Sequence, residues 1–167
     1  MVMQSSAGAG SDFSQTGFTL VELMVVVVIL STLLGVGVPL FEYFIKDQRV
    51  KTTASDMLVS LILTRSEAVK RNQSVVLTPY EDGWSDGWSI PSPTAGAQDI
   101  YNHLQSGTVT ITGPDEVQVT PMGRVPLTPT FKISVGADGE KPFRCLFVQL
   151  DGRVEMRTDE DQVCIDL

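Results

Sequence analysis

The feature that most constrains this 167-residue chain is an apolar stretch from Leu23 to Phe41 that contains no charged residue. Val, Leu and Ile dominate the stretch. Because a run of about 20 apolar residues is long enough to cross a bilayer as a helix, the pattern predicts a transmembrane helix within residues 18–45. With this length, the remainder fits a single additional domain.

A secretory signal peptide is the competing interpretation of the apolar stretch. Such a signal needs basic residues before the apolar core and a small-residue cleavage site after it. Residues 1–45 contain no Lys or Arg, and Gly35-Val36-Gly37-Val38-Pro39 matches such a site poorly. We therefore favour a retained anchor. Residues 1–17 are rich in Ser, Gly and Ala, which is the composition of a disordered or removable leader.

Charge is unevenly distributed along the rest of the chain. Residues 46–71 hold six basic and three acidic side chains, whereas residues 72–167 hold six basic and fourteen acidic ones. An acidic surface repels phosphate backbones, whose binding depends on Lys and Arg. The charge distribution therefore disfavours DNA as a partner.

Beyond Pro39 the pattern becomes that of an amphipathic helix. Apolar residues recur at helical spacing at Val50, Ala54, Met57, Leu58, Leu61, Ile62, Ala68 and Val69. Such a stripe is typical of a helix that packs one face on a sheet. We expect one helix from Phe18 to about Arg71.

After Asn72 the chain contains short alternating segments typical of antiparallel strands. The predicted strands are Ser74–Thr78, Gly87–Ile90, Thr108–Thr112, Val117–Val119, Thr130–Val135, Arg144–Leu150 and Arg153–Arg157. Turn signals are Asp82-Gly83, Asp86-Gly87, Asp138-Gly139 and Asp151-Gly152, and Pro91–Gln98 is a predicted surface loop. The predicted fold class is α+β: a long N-terminal helix, transmembrane and then amphipathic, packed on an antiparallel β-rich globular head.

The two cysteines, Cys145 and Cys164, are interpreted as one disulfide in an oxidising compartment. Two buried free thiols are the alternative. A turn at Asp151-Gly152 would bring the tail after Arg157 back to the strand that contains Cys145.

The sequence Gly17-Phe18-Thr19-Leu20-Val21-Glu22-Leu23, followed by the apolar stretch, resembles the prepilin signature of type IV pilins and type II secretion pseudopilins. The resemblance implies that residues 1–17 are a prepilin leader. It also implies that prepilin peptidase cuts between Gly17 and Phe18 and methylates the amino group of Phe18. Glu22 would then neutralise the N-terminal ammonium of a neighbouring subunit in a filament. Pro39 matches a proline that many members of these families carry near this point.

A second resemblance covers the head. Arg65-Ser66-Glu67-Ala68-Val69-Lys70-Arg71-Asn72 leading into a strand, and then Asp82-Gly83-Trp84-Ser85-Asp86-Gly87-Trp88, resemble the minor pilin and minor pseudopilin domain of the FimT, FimU and GspH type. The resemblance implies a periplasmic head at 46–167, with a helix half at 46–71 and a β-rich part at 72–167.

Together these resemblances imply a minor pilin in the tip or initiation complex of a type IV pilus. A minor pseudopilin of a type II secretion system is the alternative. The chain would be a single-pass protein of the bacterial inner membrane before it enters the pilus or pseudopilus. Its expected partners are prepilin peptidase and, through the N-terminal helix, other major and minor pilins or pseudopilins.

A DNA-binding competence pilin is a further alternative, with Arg153 and Arg157 as candidate contacts. DNA-binding relatives of the FimT kind carry a second Arg two positions after the Gly-Arg turn, where this chain has Glu155.

We expect no catalytic residues, no cofactor and no metal. His103 has no Ser or Cys partner in a recognisable motif, and the spacing of Glu81, Asp82 and Asp86 does not follow an EF-hand. Trp84 and Trp88 are interpreted as core residues, with a ligand platform as the alternative. The acidic run Asp159-Glu160-Asp161 is interpreted as a solvated turn.

Overall fold

The computed structural model describes residues 17–105, 108–136, 142–158 and 164, and for residues 36–40 it describes the backbone alone. The chain divides into two compact units, Met1–Leu40 and Phe41–Leu167. Helix α1, Leu20–Arg71, belongs partly to each unit, and its helical assignment continues through Gly35 and Pro39.

Both ends of α1 have recognisable caps. At the start, Glu22 N donates a 3.2 Å hydrogen bond to Thr19 Oγ1, and Leu23 N donates to the Thr19 carbonyl. At the end, Asn72 adopts a φ of 52°, and Gln73 N donates to the Ala68 carbonyl. This is a Schellman-type end in which an asparagine takes the left-handed position usually held by glycine. The predicted helix of about 18–71 is therefore confirmed to within two residues.

Eight strands follow α1. They are β1 Val75–Tyr80, β2 Gly83–Ile90, β3 Tyr101–Leu104, β4 Thr110–Thr112, β5 Val117–Val119, β6 Thr130–Ser134, β7 Phe143–Val148 and β8 Val154–Arg157. They form two four-stranded sheets with orders β3-β2-β1-β5 and β4-β6-β7-β8. Every pairing is antiparallel. The predicted α+β class is confirmed, with the head built from two sheets.

The core of the head lies between α1 and the sheets. Val50, Ala54, Met57, Leu61 and Ala68 contribute the apolar part of the buried helix face. The prediction that Ile62 and Val69 belong to this buried face is wrong, because their exposed fractions are 54% and 52%. Polar residues occupy the positions beside the apolar ones, and they are Thr53, Ser60, Thr64 and Glu67.

Sequence reasoning missed β3 and misplaced one turn. The Asp86-Gly87 pair lies inside β2, where Gly87 has a φ of 135°. A Cβ at Gly87 would collide with the His103 carbonyl oxygen and the Tyr80 ring, so only glycine fits there. The glycine therefore marks a close approach between strands and not a hairpin. The Pro91–Gln98 segment contains no strand, as predicted.

The two cysteines form the Cys145–Cys164 disulfide, so the predicted bridge is confirmed and the free-thiol alternative is wrong. The turn at Asp151-Gly152 joins β7 to β8, with Gly152 N donating to the Gln149 carbonyl over 2.7 Å. The predicted turns at Asp138-Gly139 and Asp159–Asp161 lie outside the described residues.

Within the part of the chain that the structure describes, no helix is both long enough and apolar enough to cross a membrane, so the membrane span predicted at Leu23–Phe41 is not confirmed.

Candidate processing and assembly site

The predicted cleavage site lies ahead of the helix. Gly17 and Phe18 are exposed and non-helical, and Phe18 is 81% exposed. A peptidase needs its substrate in an extended, accessible conformation, and backbone groups outside a helix are free to bind it. The geometry at 17–18 is compatible with such a reaction.

Glu22 occupies the third position of the helix, counted from the cap residue Thr19. The spacing Thr-x-x-Glu is that of a capping box, in which the hydroxyl of the first residue accepts from the backbone N–H of the fourth. The carboxylate is exposed and lies at the positive end of the helix dipole. Sequence reasoning assigned Glu22 to assembly and missed Thr19, although the Thr-x-x-Glu spacing was visible.

The side chains that follow Glu22 form an apolar surface around the helix. The large apolar side chains described between residues 18 and 34 are all 45% exposed or more. A helix that is apolar on every side requires a non-aqueous partner, either lipid or other helices. The helix position of Pro39 is described, but its side chain is not.

The arginines proposed as DNA contacts are each paired with a carboxylate. Arg153 Nε lies 2.8 Å from Asp151 Oδ2, and Arg157 Nη2 lies 2.8 Å from Glu155 Oε2. The Arg157 guanidinium also lies 5.3 Å from the Phe147 ring centroid. Binding of phosphate would have to compete with these partners, which weakens the case for DNA.

Three carboxylates have a lowered pKa because of neighbouring arginines. The Arg71 hydrogen bond lowers the pKa of Glu67 below its usual range, with Lys70 adding to the effect. The backbone N–H and the guanidinium of Arg153 lower the pKa of Asp151. The Arg157 guanidinium lowers the pKa of Glu155. All three carboxylates are therefore charged members of ion pairs at neutral pH.

The two tryptophans are core residues, as predicted. Trp88 stacks on His103 with ring centroids 4.2 Å apart, and Trp84 meets Phe131 edge to face at 5.0 Å. Trp84 Nε1 donates to the Pro114 carbonyl over 2.6 Å. Neither indole is free to form a ligand platform. Among the described residues, no group of three or more His, Cys, Asp or Glu side chains could hold a metal ion.

A partly buried ion pair ties the helix to the second sheet. Arg144 Nη2 on β7 lies 2.8 Å from Asp47 Oδ1 on α1. Arg65 on α1 reaches the loop after β5, where its Nε donates to the Gly123 carbonyl over 3.1 Å. These long-range contacts fix the helix against both sheets within the unit Phe41–Leu167.

Comparison with known proteins gives two family matches. Residues 53–152 match the family described as Type II transport protein GspH, and residues 12–38 match the prokaryotic N-terminal methylation motif. Prepilin peptidase-dependent protein D of Escherichia coli (strain K12) is 32% identical over 110 residues. That match covers 62% of this chain and 66% of the relative, which is just under two thirds of the relative's length.

Two solved structures share the fold. The type IV minor pilin FimU of Pseudomonas aeruginosa (strain PAO1) gives a TM-score of 0.58 at 22% identity, covering 73% of this chain and 99% of that one. The minor pseudopilin EpsH from the Type 2 Secretion System of Vibrio cholerae gives a TM-score of 0.53 at 14% identity, covering 66% and 97%.

The GspH match covers more than half of the chain and runs from the second half of α1 through β7, and the methylation motif precedes it. The chain therefore belongs to the family of the Type II transport protein GspH.

Proposed function

We propose that this chain is a structural minor pilin of a type IV pilus, incorporated in the tip or initiation complex. The observation that carries the proposal is the order of the two family matches, with the methylation motif at 12–38 ahead of the GspH domain at 53–152. A single helix, α1, links the two regions. This arrangement suits a subunit that is cut at one end and contributes a folded head at the other.

Processing is the first step of the proposed function. Prepilin peptidase removes residues 1–17 and methylates Phe18, and the exposed, non-helical Gly17-Phe18 segment supports this reaction. The new ammonium group then lies four residues before Glu22. Since Thr19 caps the helix, the mature chain begins one residue before the cap.

Assembly is the second step. The exposed apolar side chains of 18–34 first need lipid and later need other helices, so the chain is held in the inner membrane with a periplasmic head and then transferred to the filament. Other major and minor pilins supply those helices. Where water is excluded, a carboxylate is stabilised by an opposite charge, and Glu22 finds one in the N-terminal ammonium of a neighbour.

A minor pseudopilin of a type II secretion system is the second candidate. The description of the matching family and the fold shared with EpsH favour it. Deletion of the gene distinguishes the two functions. A pilin deletion abolishes surface pili and leaves secretion of folded enzymes intact, whereas a pseudopilin deletion does the reverse. A deletion strain with normal pili and normal secretion would contradict both.

A further inference from the structure

One sheet edge in the head has the properties of a binding site for an extended chain. Strand β3 is the outer strand of its sheet and pairs only with β2 among the described strands. Gln105 N donates to the Asp86 carbonyl over 3.1 Å, and Trp88 lies opposite His103. Because hydrogen-bonded residues alternate in an antiparallel ladder, Asn102 and Leu104 direct their backbone N–H and C=O groups away from β2.

The β3 edge lacks the features that protect the β8 and β4 edges from pairing with another chain. In β8, Glu155 and Arg157 form an ion pair along the strand, and charged side chains discourage pairing with another chain. In β4, the Ile111 N–H is already occupied by Ser85 Oγ of the other sheet, at 3.0 Å. Strand β3 contains no proline, lysine or carboxylate, and Leu104 is 78% exposed.

An open pocket of about 320 Å³ lies between the end of β3 and the helix. Ile45, Leu104 and Val109 form apolar parts of its wall, and Arg49 lines it from the helix. The only contact described for the Arg49 guanidinium is a 3.5 Å hydrogen bond to Thr108 Oγ1, and among the described residues no carboxylate pairs with it. Asp56 lines the same pocket two helical turns further along α1, about 10 Å from Arg49 along the axis.

We propose that the free edge of β3, with this pocket, docks an extended segment of a neighbouring pilin-like subunit that carries an acidic side chain. The proposal rests on the proposed function, because it names a contact within the assembled filament. The free backbone groups of Asn102 and Leu104 select an extended chain, since only a strand presents a matching row of donors and acceptors. The guanidinium of Arg49 selects the acidic side chain.

The charge distribution of the chain supports this choice of partner. Arg49 belongs to the helix half 46–71, which carries six basic and three acidic side chains. Residues 72–167 carry fourteen acidic and six basic ones, and a neighbouring head of similar composition would offer acidic segments that complement Arg49. Complementary potentials fix orientation and exclude wrong partners.

Photo-crosslinking of the full-length chain in living cells tests the proposal. The probe is p-benzoylphenylalanine at position 102, with the same residue at the exposed position 82 in the β1–β2 turn as control. We expect a crosslinked product from position 102 at about ten times the yield from position 82, and peptide mapping should identify the partner as a pilin-like subunit. Equal yields, or a partner from another class of protein, would overturn the proposal.

Two substitutions make the test specific. Leu104→Pro removes an outward-facing N–H without disturbing the pairing with β2, and Arg49→Glu reverses the charge at the pocket. Each should lower the product from position 102 about tenfold, whereas Arg153→Glu, at an exposed site in the β7–β8 turn, should leave it unchanged. Formation of the Cys145–Cys164 disulfide in each exported variant shows that the head has folded. Unchanged product from both variants would refute the role of this edge.

Different results would contradict the proposed function and the proposed docking edge. Loss of leader cleavage, or absence of the wild-type chain from purified filaments, counts against the function. A chain that is cleaved and incorporated normally but gives no product at position 102 counts against the docking edge alone.

Discussion

Trp88 Nε1 donates a 2.8 Å hydrogen bond to Ser60 Oγ, and both residues are buried. Ser60 in turn donates to the Asp56 carbonyl over 2.8 Å. The bond joins β2 to the buried face of α1 and satisfies the one polar group of the largest fully buried side chain in the head. The helix and the sheet are therefore held by a specific polar contact as well as by apolar packing.

Ser60→Ala should destabilise the head by about 1–3 kcal/mol, because it leaves the Trp88 indole N–H buried without an acceptor. Ser55→Ala is the matched control, since Ser55 makes the same kind of bond to a carbonyl four residues earlier but is exposed. We expect a change within about 0.5 kcal/mol for the control. Urea denaturation of a fragment covering 46–167 measures both, and equal losses would show that the Trp88–Ser60 bond contributes nothing.

Gly87→Ala should destabilise the head more than Gly83→Ala. Both glycines have positive φ, at 135° and 105°, so each substitution costs about 1–3 kcal/mol in backbone strain. A Cβ at Gly87 also collides with the His103 carbonyl, whereas a Cβ at Gly83 meets open space. Hydrogen exchange should show loss of protection at β3 in the first variant only. Equal protection of β3 in both variants would contradict the close approach described for Gly87.

Glu67 should make stability depend on pH. Its pKa is lowered in the folded head by the Arg71 hydrogen bond, so its contribution is fully present above the unfolded value and is lost as pH falls through the folded pKa. Glu67→Gln should therefore lose stability relative to wild type at neutral pH, with the difference shrinking below about pH 5. Unfolding measured across that range checks this, and a difference that stays constant with pH would exclude the ion pair as its origin.

The elements that were predictable from sequence depend on local pattern. The limits of α1 follow from hydrophobic periodicity and from residues at its ends, and the Cys145–Cys164 pairing follows from the turn at Asp151-Gly152. Strand β3 was missed because Tyr101 and His103 face inward and Leu104 faces solvent, which reverses the pattern expected of a strand. His103 occupies the inward side of the strand because its ring stacks on Trp88 with centroids 4.2 Å apart.

The burial of polar side chains on one face of α1 could not be predicted from the sequence either. Hydroxyl side chains usually indicate the solvent face, but Ser60 and Thr64 are buried at 1% and 0% exposure. Thr64 donates to the Ser60 carbonyl within the helix, so its burial costs little. The acceptor role of Ser60 depends on Trp88, 28 residues away in sequence, and no local pattern reveals it. The candidate processing site, by contrast, was visible in the motif alone.

Glu22→Val and Glu22→Gln separate the two roles available to this carboxylate. Glutamine also completes a capping box, so Glu22→Gln keeps the helix start and removes only the charge. If Glu22 pairs with a neighbour's ammonium, both variants should be inserted and cleaved normally, and both should be depleted from filaments. Quantitative immunoblotting of sheared filaments against membranes measures the depletion. Normal incorporation of the Gln variant would assign Glu22 to capping alone.

The central claim is that this chain is cut and methylated at Phe18 to become a filament subunit. Intact mass spectrometry of the chain from cells with and without prepilin peptidase tests it most directly. With the peptidase, we expect a mature chain that begins at methylated Phe18, and without the peptidase we expect the leader to remain attached. A chain that keeps residues 1–17 in peptidase-positive cells would contradict the account.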